Sequence, residues 1–213
     1  FSKNWAICQP WDSPVSVHVV NPGVIDTELF SLPGNDPLKA DIAPEDPSVV
    51  ERVEGQVEVA TTPGEVVSLH LEPADAPACP EAVEAIHEAD AIVLGPGSWF
   101  TSVLAPLQVK GIGQAVTEAR GRVVVVLNLA EQPGETDGFS PQRHLEVLAA
   151  QCPGLRVDVV LADPERVSDI AALASAAQRL GGRLVLAPVA SRDGSARHDA
   201  DLLASALGGA LTV

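Results

Sequence analysis

The chain has 213 residues, which suits one large domain or one domain with an additional segment. Its formal net charge of −16 argues against a nucleic-acid partner, because the acidic chain would repel a phosphate backbone. The longest apolar run, residues 123–127, is far shorter than the roughly 20 residues of a membrane span. With no signal-peptide pattern, we predict a cytoplasmic protein without a membrane partner. The three cysteines lack metal-ligand spacing, so a zinc site is not expected.

The first 48 residues differ in composition from the rest of the chain. They hold two of the three tryptophans and three of the four asparagines. A strand is predicted at 15–20, and a Pro/Asp-rich stretch at 31–47 is typical of a linker. We therefore predict a boundary that separates residues 1–48 from residues 49–213.

From Val49 onward, strand and helix patterns alternate along the chain. This alternation predicts an α/β fold with a doubly wound, mostly parallel sheet. Two runs around a Pro-Gly turn, at 56–60 and 66–71, predict a β-hairpin. Further strands are predicted at 89–94, 122–129, 155–162 and 183–187. Helices are predicted at 81–88, 140–150, 168–180 and 200–207. Ser140 is the expected N-cap of the second of these, with Pro141 in its first turn. Helical sequence is also predicted in 101–119, where Pro106 and the KGIG sequence at 110–113 are expected to break the helix.

The sequence GPGSWFTS, residues 95–102, follows a predicted buried strand and opens a predicted helix. Gly95 and Gly97 would let backbone N–H groups approach a ligand, and a helix N-terminus favours an anion. Ser98 and Thr101 add hydroxyl groups. In the alternative interpretation, the glycines only satisfy the geometry of a strand-to-helix turn, since the motif is neither GxGxxG nor a P-loop.

The sequence NLAEQPGETDGFS, residues 128–140, is a second polar loop between a predicted strand and a predicted helix. It is longer than most strand-to-helix connections. If the two strands are parallel, both loops lie at the carboxyl edge of one sheet, where open α/β folds bind ligands. Glu135 and Asp137 could help to hold Mg²⁺, although two carboxylates alone do not specify a metal site. The alternative is a solvated acidic loop. The polar candidates are Asn128, Gln132, Glu135, Thr136 and Asp137.

The sequence SARHDAD, residues 195–201, contributes a third candidate. Arg197 can bind a phosphate or carboxylate through two hydrogen bonds, and His198 could donate as well. A surface arginine beside a capping aspartate is the alternative. The other histidines, including His144 on a predicted helix, share no metal-ligand spacing and are assigned structural roles. No Ser-His-Asp order or GxSxG elbow occurs, so no catalytic residue is predicted.

The motifs ADAIVLGPGSWFTS and NLAEQPGETDGFS resemble the YvcK family of gluconeogenesis factors, which are relatives of 2-phospho-L-lactate transferase (CofD). The likeness covers about residues 49–213. It implies a cytoplasmic α/β protein whose ligand is a UDP-sugar, which is a small anionic nucleotide-type molecule. It also implies that the protein regulates cell morphology and wall synthesis during growth on gluconeogenic carbon sources. By position, it assigns one pocket wall to Gly95, Pro96, Gly97 and Ser98, a second wall to Asn128, Gln132, Gly134, Glu135, Thr136 and Asp137, and a phosphate contact to Arg197.

The chain departs from that family at its beginning. The Gly-rich first loop of the family does not occur, so the N-terminal half of the family fold is expected to be missing and UDP-sugar binding to be weak or absent. Residues 12–47 instead resemble the late part of a short-chain dehydrogenase, but a chain without tyrosine lacks that catalytic residue. Two alternatives therefore stay open beside the regulator: a CofD-like transferase acting on a deazaflavin, and a non-catalytic dehydrogenase fragment. The need for Mg²⁺ and the formation of a homo-oligomer are also left open.

Overall fold

A computed structural model describes residues 17–19, 38–43, 51–54, 59, 65–71, 74–75 and 77–212. Of residues 12–47, which resemble a short-chain dehydrogenase, the structure describes Val17–Val19 and Leu38–Ala43. The strands are β1 (Val17–Val19), β2 (Leu38–Ala43), β3 (Glu51–Glu54), β4 (Glu65–Leu71), β5 (Ala91–Leu94), β6 (Arg122–Val126), β7 (Val159–Ala162) and β8 (Arg183–Leu186). The α-helices are α1 (Pro80–Glu88), α2 (Ala105–Gln108), α3 (Lys110–Glu118), α4 (Pro141–Gln151), α5 (Ile170–Arg179) and α6 (Ala200–Leu211). A π-helical segment (Trp99–Leu104) leads into α2, and a 3-10 turn (Pro164–Arg166) follows β7.

The main sheet has the strand order β1-β5-β6-β7-β8, and every neighbouring pair is parallel. Helical segments connect β5 to β6, β6 to β7 and β7 to β8. The predicted α/β class with a parallel sheet is therefore confirmed. The order of the strands, which the sequence pattern does not reveal, places the loops after β5 and β6 side by side at one edge.

Strands β5, β6 and β7 of the main sheet are buried on both faces, which explains their nearly continuous apolar sequences. Along β6, Val123 and Val125 belong to the large core beneath the helices, whereas Val124 and Val126 face the opposite side. That opposite side packs against residues of α6, including Leu203 and the buried Ala210. The alternation along β6 follows from the two-residue period of a strand.

A second sheet of three antiparallel strands has the order β3-β2-β4. Its central strand β2 lies within the predicted linker 31–47, so the linker prediction is wrong for Leu38–Ala43. Ala40 and Ile42 are buried while Lys39 and Asp41 are only partly so, which is the alternation of a strand with one face on the core. The Pro/Asp-rich composition around β2 hid this pattern.

Cross-strand ion pairs match the register of β2 and β3. Lys39 Nζ lies 2.9 Å from Glu54 Oε1, and Arg52 Nε lies 3.2 Å from Asp41 Oδ1; both pairs join directly opposite residues. The first run of the predicted hairpin, 56–60, lies outside the described residues except for Val59, so the hairpin stays a prediction. The second run forms β4, but β4 pairs with β2, because β2 offers an apolar face that the sequence reading assigned to a linker.

The helices begin largely where the sequence predicts. Ser140 caps α4 by accepting a hydrogen bond from the N–H of Arg143, and Pro141 occupies the first turn. Pro106, however, does not break a helix. It lies in the first turn of α2, directly after the π-helical segment, and the break falls at the extended Val109. The KGIG sequence, residues 110–113, opens α3.

Strands β1 and β2 precede Pro47 and pair with strands that follow it. The division into residues 1–48 and 49–213 stays a prediction. In the described part of the chain, the longest helices are too short, or not apolar enough, to cross a bilayer.

Candidate ligand-binding site

The loops after β5 and β6 meet at the carboxyl edge of the main sheet, as the sequence predicts. Asn128 joins them with two hydrogen bonds to the backbone of Gly97: its Nδ2 donates to the carbonyl (2.8 Å) and its Oδ1 accepts from the N–H (3.0 Å). Gln132 Oε1 accepts from the N–H of Trp99 (3.1 Å) and from Asn128 Nδ2 (3.1 Å). The two amide side chains therefore hold the first loop on the second.

Glu135 occupies the N-terminus of the π-helical segment. Its carboxyl group accepts hydrogen bonds from Ser98 Oγ at 2.6 and 2.7 Å, from Thr101 Oγ1 at 3.1 Å and from the N–H of Phe100 at 3.4 Å. Ser98 and Thr101 also bond to each other. Glu135 is only 4% exposed. The hydroxyl groups of Ser98 and Thr101, which were predicted to bind a ligand anion, are therefore already hydrogen-bonded to the carboxyl group of Glu135.

Gly95 has a structural explanation in the close packing of β5 on β6. Its φ of +79° lies in the region that favours glycine, and a Cβ at this position would lie 2.8 Å from the carbonyl oxygen of Val126. The turn interpretation thus accounts for Gly95 without a ligand. The following Pro96, joined by a cis peptide bond, is exposed at the edge. Their assignment to a ligand site stays a prediction.

The remaining candidates of the second loop stabilise the loop itself. Thr136 is fully buried, and its Oγ1 accepts from the N–H of Gln132 (2.8 Å). The exposed Asp137 accepts from the N–H of Gly134 (2.8 Å). In the described part of the chain, no three His, Cys, Asp or Glu side chains are grouped as a metal site would require. A role for Mg²⁺ with Glu135 and Asp137 stays a prediction.

Asp163, directly after β7, is a residue at this edge that the sequence analysis missed. It is 4% exposed, and its carboxyl group accepts from the N–H groups of Val189 (2.8 Å), Ala190 (3.0 Å) and Glu165 (2.9 Å). Burial alone would raise the pKa of Asp163, but these backbone hydrogen bonds and Arg166 hold it below its usual value. Its position after a buried strand, in the sequence VVLAD, is the signal that could have revealed it.

Asp163 fixes the loop that carries Arg197 and His198. Ala190 pairs with His198 in an isolated bridge, and the N–H of Ser191 donates to the carbonyl of Arg197 (2.8 Å). The Arg197 guanidinium is exposed and makes no hydrogen bond with the described residues, although its charge, after the hydrogen bonds from Ser195, helps to lower the pKa of Asp193. It is therefore available to an anion at this edge.

His198 adjoins the end of β6. Burial lowers its pKa, although a hydrogen bond to the Leu127 carbonyl and the nearby Asp163 oppose the shift. Its Nε2 is buried and has no partner among the described residues. A neutral ring that donates from Nδ1 to Leu127 offers only an acceptor at Nε2. The assignment of His198 to a ligand site stays a prediction.

A pocket of about 590 Å³ opens beside these loops, between the ends of β6 and β7 and the start of α4. His144 lines it and is 5% exposed. Its Nδ1 lies 2.9 Å from the Ser140 carbonyl, and its Nε2 has no partner among the described residues. Burial lowers the pKa of His144, against the opposing effects of the Ser140 carbonyl and Glu131. The structural role assigned to His144 from sequence leaves this orphaned acceptor unexplained.

The fold and the position of these loops define a parallel α/β protein with a polar cluster at the carboxyl edge of its sheet, the usual ligand edge of this class. The family model of 2-phospho-L-lactate transferase CofD matches residues 34–184. The chain belongs to the CofD family. The match begins before Val49, so it includes part of the segment that was predicted to be separate.

Its relatives include proteins named as gluconeogenesis factors, which confirms the resemblance to the YvcK branch. A Mycobacterium tuberculosis protein of that name is 45% identical over 167 residues, which are 77% of this chain and 48% of the relative. A gluconeogenesis factor from Listeria innocua is 30% identical over 95% of this chain and 66% of its own length. The second match extends over most of the first 48 residues, so the dehydrogenase alternative is not favoured.

Solved structures support the same fold. A crystal structure of a UPF0052-family protein from Bacillus halodurans is similar with a TM-score of 0.67 and 26% sequence identity, over 84% of this chain and 63% of that chain. The chain spans about half the length of the mycobacterial relatives that it matches.

Proposed function

We propose that this chain contributes one part of a cytoplasmic UDP-sugar-binding regulator, similar to YvcK, that controls cell morphology and wall synthesis during growth on gluconeogenic carbon sources. The observation that carries the proposal is the joining of the GPGS and QPGETDG loops at one sheet edge by Asn128 and Gln132. The similarity of the chain to gluconeogenesis factors supports the choice of ligand.

The hydrogen bonds at the edge indicate where the ligand phosphates would bind. The N-terminus of the π-helical segment already holds Glu135, and a second anion there would be repelled. Arg197 is an exposed cation of the neighbouring loop, and its guanidinium can donate two hydrogen bonds to a phosphate. We therefore place the phosphates at Arg197 rather than at Ser98.

The test is a titration of the 213-residue chain with UDP-glucose, followed by chemical-shift changes in its amide NMR spectrum. We expect weak binding, in the millimolar range, because the chain corresponds to about half of its mycobacterial relatives. Arg197→Ala should weaken the affinity about tenfold or more, the effect of losing hydrogen bonds to a charged group.

Arg192→Ala is the matched control, since Arg192 is an exposed arginine of the same loop. It changes the net charge by the same amount and should leave the affinity within about twofold. Equal losses in both variants would show that only the overall charge matters. An unchanged affinity in Arg197→Ala would remove that residue from the site.

The regulatory role is tested in cells. A bacterium that lacks its own gluconeogenesis factor would receive either a full-length relative or this chain, with growth and cell shape compared on gluconeogenic and sugar media. We expect the relative to restore growth and the chain alone to restore less. Equal growth of all strains on both media would contradict the role.

A further inference from the structure

The pocket beside β6 and β7 has the size and position of a ligand subsite. Its volume of about 590 Å³ falls within the roughly 300–1,000 Å³ that is typical of small-molecule sites. It is lined by Leu127 and Asn128. Leu127 accepts a hydrogen bond from His198, the neighbour of Arg197, so the pocket continues from the edge where we place the phosphates.

His144 lines this pocket and carries a buried hydrogen-bond acceptor with a fixed orientation. Its low pKa keeps the ring neutral, and donation from Nδ1 to the Ser140 carbonyl leaves a lone pair on Nε2. That atom has no partner among the described residues. A buried polar atom without a partner is costly, so a ligand O–H or N–H group that donates to it would gain affinity.

A second orphaned atom, of the opposite kind, lies on the neighbouring ring. The Trp99 indole packs edge-on against His144 with the ring centroids 4.9 Å apart, and its Nε1–H donor is also buried without a partner. Trp99 is fully buried and does not line the pocket, so its edge contact helps to fix the orientation of the His144 ring.

The rim of the pocket carries both kinds of polar group. Arg166 and Ser168 are exposed donors that follow β7, and the Arg166 guanidinium makes no hydrogen bond with the described residues. Glu131, an acceptor, also lines the pocket and accepts a hydrogen bond from the N–H of Gly138 (2.9 Å). The opposite charges of Arg166 and Glu131 make this pocket a poor site for a pyrophosphate and a good one for a neutral group with several hydroxyls.

We propose that this pocket binds the sugar ring of the nucleotide sugar, and that His144 Nε2 accepts a hydrogen bond from one of its hydroxyls. The inference rests on the proposed function, because the nucleotide must bind at the adjoining edge. Arg197 would then bind the phosphates, and His144 would bind the sugar. Comparing the affinities for UDP, which lacks the sugar, and for UDP-glucose measures the contribution of the sugar alone.

The experiment measures the affinity of the 213-residue chain for UDP and for UDP-glucose by amide NMR, in the wild type and two variants. His144→Phe removes the acceptor but keeps an aromatic ring against Trp99. His144→Gln keeps an acceptor near the position of Nε2. We expect the wild type to bind UDP-glucose more tightly than UDP. His144→Phe should weaken UDP-glucose about three- to tenfold and leave UDP unchanged, and His144→Gln should recover part of the loss.

The other outcomes separate the two proposals. Equal wild-type affinities for UDP and UDP-glucose, or a His144→Phe variant that retains the full preference for UDP-glucose, would overturn the sugar subsite and leave nucleotide binding intact. An equal loss for both ligands in His144→Phe would also overturn it, since the residue would then act on the whole site. Binding of neither ligand by the wild type would refute the proposed function and this inference with it.

Discussion

Glu135 is predicted to stabilise the junction of the two loops, and its removal should be costly. Glu135→Ala removes hydrogen bonds to a charged group, worth about 1.5–3 kcal/mol in typical proteins. It also leaves the buried N–H of Phe100 without its acceptor, at a further cost of about 1–3 kcal/mol. Ser98 and Thr101 still bond to each other, which limits the loss. We expect the free energy of unfolding to fall by about 3–5 kcal/mol.

Equilibrium unfolding in urea measures this effect, with the midpoint shifted and the slope unchanged. Glu135→Gln, which keeps an accepting oxygen, should lose about half as much. Asp137→Ala is the control, since it removes an exposed carboxylate from the same loop and should cost no more than about 0.5–1 kcal/mol. If Glu135→Ala is as stable as Asp137→Ala, the carboxylate does not hold the helix N-terminus and the donors there are free for a ligand.

Three further predictions concern single residues. Gly95→Ala and Gly138→Ala both place a side chain at a positive φ, but only the new Cβ at residue 95 would lie close to a carbonyl oxygen, that of Val126 at 2.8 Å. In urea unfolding, Gly138→Ala should lower the free energy of unfolding by about 1 kcal/mol, and Gly95→Ala by at least twice as much. Asp163→Asn should lower stability by about 2 kcal/mol at neutral pH. Because folding lowers the pKa of Asp163, the wild-type advantage should be complete above about pH 4 and should shrink steadily as the pH falls below that value. An advantage that does not shrink on acidification would argue against this role. Folding also lowers the pKa of His144, so the unfolded chain binds a proton at a higher pH than the folded chain does. The wild type should therefore lose stability as the pH falls below about 6.5, whereas His144→Phe should not. Parallel curves of stability against pH for the two proteins would contradict this.

The fold class was predictable because its signals are local. The apolar runs of β5, β6 and β7 are buried on both faces, and the Ser140–Pro141 pair marks the start of α4 within a single turn. Strand β2 was not predictable from composition, because prolines and aspartates surround a six-residue strand whose apolar side chains alternate with charged ones. Its partners β3 and β4 follow later in the chain, so its pairing depends on contacts that a local pattern does not contain.

The site was predictable in its location but not in its bonding. The polar loops could be placed at one sheet edge, because parallel strands end on the same side. That Glu135 would bind the donors at Ser98, which lies 37 residues earlier in the chain, depends on the relative positions of the two loops. The orphaned acceptor of His144 likewise appears only when the surrounding rings and the Ser140 carbonyl are in place.

The most direct test of nucleotide-sugar binding is a map of the amide shifts that UDP-glucose causes in this chain. We predict that the largest changes lie at the carboxyl edge of the sheet, at Gly97, Asn128 and the loop that carries Arg197 and His198. The amides at the opposite ends of the strands, such as those of Gly121 and Gly182, should not change. Shifts confined to that opposite edge, or none at saturating ligand, would contradict the account.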